Sequence, residues 1–101
     1  MYKNTLQPGF MYHLYNRGNN KENLFKEEKN YQYLLNLWKK HIQPVAETFC
    51  YSLQPNHFHF LVQLNENIMP KKIDQYCFNA YAKGINKVYH RVGSLFQERF
   101  G

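Results

Sequence analysis

Gln54-Pro55-Asn56-His57-Phe58-His59-Phe60-Leu61-Val62-Gln63-Leu64 is the stretch on which the fold turns. From His57 onward, Phe58, Phe60, Val62 and Leu64 interleave with His57, His59, Leu61 and Gln63. Successive side chains of a strand leave on opposite faces, so this alternation reads as a strand over His57 to Leu64 with one wholly apolar face. Its other face carries two imidazoles side by side. Gln54-Pro55-Asn56 is a short turn, and Thr48 to Leu53 before it reads as a strand, which makes the pair a hairpin.

Upstream of the hairpin, Glu27 to His41 reads as a helix, because Tyr31, Leu34, Leu35, Trp38 and Ile42 fall on one stripe at helical spacing. Glu27 and Glu28 in the first turn and Lys39, Lys40 and His41 in the last suit the helix dipole, and Pro44 ends it. Further back, Gln7-Pro8-Gly9 is a turn and the aromatic-rich run Phe10 to Asn16 reads as the first strand. It sets Tyr12 and Leu14 on one face, and Met11, His13, Tyr15 and Arg17 on the other. Arg17-Gly18-Asn19-Asn20 is a loop.

Downstream, Asn65 to Pro70 is a loop and Lys71 to about Tyr89 reads as a second helix. Its apolar stripe is Ile73, Tyr76, Cys77, Ala80, Tyr81, Gly84, Ile85 and Val88. Gly84, worth ~1 kcal/mol less than Ala in a helix, suits close packing against a sheet. Arg91-Val92-Gly93 is a turn, and Ser94 to Phe100 starts a fourth strand. The order β-α-β-β-α-β predicts an α+β, ferredoxin-like domain, its sheet rich in antiparallel pairs and both helices on one face. Residues 1–101 are expected to form a single domain.

Composition narrows the classes. A hydrophobic fraction of 44% with 20% charged residues fits a globular chain rather than a disordered one. Aromatics reach 18%, enough for a core and for stacking surfaces as well. The net charge of +6 favours polyanions, and with a surface rich in Tyr and Phe it leans toward nucleic acid. Cys50 and Cys77 form no CxxC pair and read as reduced, buried thiols of a cytoplasmic protein. No apolar run approaches a membrane span and the N-terminus lacks the apolar core of a signal peptide, so no membrane partner is expected.

In this layout the apolar face of the third strand packs on the helices, and His57, His59, Leu61 and Gln63 lie on the open face. The first strand is its neighbour, so His13, Tyr15 and Arg17 share that face. Zinc takes three or four protein ligands, and no CxxC or HExxH accompanies the pair. A hard ion, Mg or Mn, completed by waters and phosphate oxygens, suits His57 and His59 better and polarises a phosphoryl oxygen toward attack. From H-x-H alone, a pair of sheet histidines with no ligand is equally open. Cleaving a phosphodiester takes water, Ser or Tyr as nucleophile, and Tyr leaves a phosphotyrosine that stores the bond energy. Tyr76 and Tyr81 read as core residues, and Tyr89 as exposed at the helix end. Lys83, Lys87 and His90 or Arg91 recur on a polar face of the second helix, either tracking a phosphate backbone or simply solvated.

Four stretches carry a family resemblance. They are Tyr12-His13-Leu14-Tyr15-Asn16-Arg17-Gly18-Asn19-Asn20, Leu24-Phe25 with the Tyr31-containing helix, Pro55-Asn56-His57-Phe58-His59-Phe60-Leu61-Val62, and Gly93-Ser94-Leu95-Phe96-Gln97-Glu98-Arg99-Phe100. In this order the chain resembles the HUH-type single-tyrosine transposases, in particular the REP-associated, IS200-like group. The resemblance implies a ferredoxin-like fold, a divalent ion on His57 and His59, and nicking and rejoining of single-stranded DNA near hairpins through a 5′-phosphotyrosine. It gives Asn16 and Arg17 a DNA role, which with Lys83, Lys87 and Arg91 makes the expected contact set. In that family the nucleophilic Tyr and a third metal ligand sit on a further helix after the segment matching Leu95 to Phe100. This chain stops at Gly101, so both are expected beyond it and the domain is expected to be inactive alone.

Other readings stay open: a DNA-binding regulatory remnant that does not cut, a single-stranded RNA binder on the open sheet face, and a metal nuclease that uses water. Monomer and homodimer both fit the sequence.

Overall fold

The computed structural model describes residues 9–65 and 73–98, with backbone alone at 73 and 74. Gln7 and Pro8 of the expected first turn, the loop from residue 66, Lys71 and Lys72 of the expected second helix, and Arg99 and Phe100 of the expected last strand lie outside these residues. The elements are β1 (Met11–Arg17), a short turn at Asn19–Lys21, α1 (Glu28–His41), β2 (Ala46–Gln54), β3 (His57–Leu64) and α2 (Ile73–Val88). The strands form one antiparallel sheet in the order β1-β3-β2. With α1 joining β1 to β2 and β3 inserted between those strands, the fold is α+β and ferredoxin-like.

β3 is central because its sequence buries one whole face. Phe58, Phe60, Val62 and Leu64 are all buried, while His57, His59, Leu61 and Gln63 are half-buried. The helices cover the first set. Trp38 of α1 stacks on Phe60 with ring centres 3.7 Å apart, and its indole N–H donates to Thr48 Oγ1 at 2.9 Å. Phe78 of α2 stacks on Phe58 at 4.8 Å. Burying rings of this size contributes ~1.5–3 kcal/mol each. At the start of α1, the buried Asn30 accepts the N–H of Lys26 at 2.7 Å and of Glu27 at 2.8 Å, satisfying donors that the first turn leaves orphaned.

Four details differ from the sequence reading, each for a physical reason. The buried stripe of α2 runs through Cys77, Phe78, Tyr81 and Ile85, and Tyr76 and Val88 stay exposed. Turning the helix toward Phe78 brings its ring against Phe58, Trp38 and Phe96, with no phenol to satisfy inside. Gly84 faces α1 rather than the sheet: a Cβ there would stand 2.2 Å from Tyr33 Oη. Cys77 is buried but Cys50 is exposed. A bulge between Thr48 and Cys50 breaks the alternation of β2, so Thr48 pairs with core-facing Val62 and Cys50 with outward Leu61.

The fourth difference concerns the expected last strand. Among the described residues it amounts to one antiparallel bridge, Gly18 with Phe96, beside the end of β1. Two backbone bonds flank the bridge, Asn19 N–H to Leu95 O at 2.9 Å and Gln97 N–H to Arg17 O at 2.8 Å. The ladder stops there because β1 ends at Arg17 and the chain turns away through Asn20 and Lys21, both left-handed with φ of 55° and 61°.

Candidate active site

The register between β1 and β3 assembles a polar cluster on the open face. Tyr15 pairs with His59 and Arg17 with His57, while His13, paired with Leu61, stands diagonally from His59. The rings of His13 and His59 lie edge to edge and nearly coplanar, centres 5.0 Å and planes 17° apart, and His13 Nε2 and His59 Nδ1 share a hydrogen bond of 2.8 Å. Tyr15 lies 4.8 Å from the His13 ring and 6.1 Å from the His59 ring. His57 Nδ1 donates to Asn56 Oδ1 at 2.8 Å. Burial first, then the neighbouring His13 and His57, hold the His59 imidazolium pKa below its ordinary value.

Loop bonds bring a cationic rim beside these rings. Gly18 N–H donates to Asn56 O at 2.9 Å, and the N–H groups of Leu24 and Phe25 donate to Pro55 O at 2.7 and 3.1 Å. The β1–α1 loop is thereby laced to the β2–β3 turn. The lacing needs Gly18, since a Cβ there would lie 1.7 Å from Glu22 O. The result is a cavity of about 410 Å³ lined by Arg17, Gly18, Lys21, Asn56, His57 and His59. A wider depression of about 850 Å³ runs along β2 past Thr48, Phe49 and Tyr51, but the charge it presents is Glu47, the wrong sign for a polyanion.

The imidazoles suit a divalent ion in one respect and fall short in another. Both His57 and His59 are engaged at Nδ1, which leaves Nε2 of each as the atom that could meet a metal. Their ring centres stand 5.3 Å apart at 82°, a separation within the span of two metal–imidazole bonds of ~2 Å each. Among the described residues, however, no group of three or more His, Cys, Asp or Glu could hold a metal. His13 spends its Nε2 on the bond to His59.

A family profile described as "Transposase IS200 like" matches residues 7–101, nearly the whole chain. The chain belongs to the IS200-like transposases. Searches of the curated proteins and of the solved structures return no match. DNA transposition is thus the general function of this transposase, and DNA its implied partner. Among the described residues no helix is long and apolar enough to cross a membrane.

The transposase gathers only part of the DNA-contact set expected from its sequence. Arg17 is exposed beside His57. Asn16 is buried, donating to Glu98 O at 3.0 Å and accepting from the Arg17 N–H at 2.8 Å, so it fastens the C-terminal segment to β1. Arg91 is also occupied. The left-handed His90 and a 2.9 Å bond from Arg91 N–H to Asn86 O turn the chain back at the end of α2. The guanidinium then forks onto both carboxylate oxygens of Glu22 and onto Asn86 Oδ1. That pairing holds the Glu22 pKa down to about 2. Lys83 and Lys87 are exposed on α2, which covers the sheet face opposite the histidines.

Two tyrosines read from the sequence are likewise committed. Tyr81 is buried and donates to Leu24 O at 2.7 Å, and burial drives its pKa up. Tyr89, expected to be exposed, is half-buried with its hydroxyl on the Glu27 carboxylate, which raises its pKa. Lys21 is the site residue that sequence reasoning missed. Only the left-handed turn brings it to the cavity, and no periodic signal announces such a turn.

Proposed function

We propose that this transposase nicks and rejoins single-stranded DNA near hairpins through a 5′-phosphotyrosine, with Mg or Mn held by His57 and His59. The observation that carries this reading is the paired imidazoles, each bound at Nδ1, beside a cavity rimmed by Arg17 and Lys21. An ion bound there would polarise a phosphoryl oxygen. The chain's own residues do the rest. Asn56 fixes the His57 tautomer, and the Arg17 guanidinium and Lys21 ammonium neutralise phosphates on either side of the scissile one. The Tyr15 ring offers a face on which a base can stack. Tyr81 is excluded as nucleophile by burial. Tyr15 is a described phenol beside His13 and His59, and the family resemblance points instead to a tyrosine on a further helix. Asn16 and Arg91, held by internal partners, are left out of the proposed contacts, and Lys83 and Lys87 could reach only DNA passing behind the sheet. The reading is completed by a single domain working in the cytoplasm.

The test is incubation of hairpin-containing single-stranded DNA and Mn or Mg with the protein extended by the further helix that the family resemblance implies, residues 1–101 alone being expected to be inactive, followed by denaturing gels and peptide mapping of any adduct. Metal-dependent nicking that disappears in His57→Ala and His59→Ala is expected, with the phosphate mapped to tyrosine. An adduct that survives both substitutions overturns the site. One observation favours a second reading, a regulator that binds DNA without cutting: no third metal ligand stands beside the pair among the described residues. It predicts hairpin binding that falls steeply with salt and is indifferent to metal.

A further inference from the structure

His13 and His59 come from different strands, 46 residues apart, yet share a hydrogen bond of 2.8 Å between Nε2 of one ring and Nδ1 of the other. Residues diagonal across an antiparallel pair are far enough apart that only long or aromatic side chains meet. Here the meeting has a consequence for protons. A neutral imidazole carries one N–H, so the shared bond couples the tautomers of the two rings. If His13 donates, His59 keeps its proton on Nε2 and offers no lone pair to the cavity. If His59 donates from Nδ1, its Nε2 lone pair is free. The neighbouring ring shows the second arrangement, because the carbonyl oxygen of Asn56 obliges His57 to donate from Nδ1.

We propose that His13 is a positioning residue that accepts the Nδ1–H of His59 at its own Nε2, and so holds the His59 Nε2 lone pair toward the ion. It does for His59 what Asn56 does for His57, with its ring held nearly coplanar with His59, 17° apart, and packed 4.8 Å from Tyr15. Partners of this kind usually change metal affinity by ~10–100-fold when removed. The inference rests on the metal reading above and adds to it a residue outside the H-x-H motif.

The experiment measures Mn binding by calorimetry and His59 tautomer by nitrogen-15 NMR at mildly alkaline pH, on the full chain without DNA. His13→Phe keeps an aromatic ring without an acceptor, and His13→Gln places an amide oxygen near the position of Nε2. The expected result is ~10-fold weaker Mn binding in His13→Phe, recovered largely in His13→Gln. In the unmodified protein His59 is expected as the Nδ1–H tautomer, and in His13→Phe as a mixture. Mn binding that is equal in the unmodified protein and His13→Phe, or a His59 found protonated on Nε2, overturns this inference alone. No Mn binding by the unmodified protein, with His57→Ala as its blank, overturns the metal reading and this inference with it.

Discussion

The two faces of β3 are built from one run of eight residues and do opposite work. On one face Phe58, Phe60, Val62 and Leu64 are buried against both helices. On the other, His57 and His59 stay half-exposed, held by single hydrogen bonds to Asn56 and His13. The first face pays for the second, in that stability concentrates on the helix side and leaves the open side free to carry polar chemistry. The same division separates two arginines expected in one role. Arg17 projects beside His57, whereas Arg91 is locked onto Glu22.

Phe60→Ala should break the comparison most severely. Loss of the ring beneath Trp38 is expected to cost ~3–5 kcal/mol in urea unfolding, while His57→Ala shifts stability by no more than ~0.5 kcal/mol. Equal costs on the two faces would refute the division. Next comes Gly18→Ala, where a Cβ must displace the backbone of Glu22. About 1–3 kcal/mol of thermal stability is expected to go, along with the lacing that holds Lys21 beside Asn56.

The arginines sharpen the contrast further. Arg91→Ala should cost ~1–2 kcal/mol at neutral pH, allowing for partial exposure of the pair, and leave hairpin affinity nearly intact. Glu22 titrates at about 2 in the fold against an ordinary value of 4.5. Its contribution is therefore complete above 4.5 and lost as pH falls through 2. Unfolding followed across that window should fall more steeply in the unmodified protein than in Arg91→Ala. Arg17→Ala should reverse the pattern, with stability unchanged within ~0.5 kcal/mol, weaker hairpin binding, and a salt slope smaller by about one. The smallest effect is His90→Gly. Relieving a left-handed φ of 54° should stabilise the protein by about 1 kcal/mol or less in a thermal melt, with DNA binding unaffected.

The parts of this fold legible in the sequence are those governed by short periods. β3 appears with the bounds its alternation predicts, and α1 starts one residue later than expected because Glu27 serves as its cap. The open-face set of His13, Tyr15, Arg17, His57 and His59 follows from period two together with strand order. Periodicity fails where one residue changes phase. The bulge before Cys50 moves that thiol from one face to the other, and an adjacent aromatic, Phe78, turns α2 away from Tyr76.

The sequence by itself determined the layer arrangement, the central strand and the face on which two imidazoles stand, because each follows from local spacing and apolar patterning. Tertiary structure decided which polar groups remain free to act. Glu22 lies 69 residues from Arg91, Asn16 lies 82 from Glu98, and His13 lies 46 from His59. Hydrogen bonds over such separations depend on how the loops and the chain ends close over the sheet, and no local pattern in the chain encodes them.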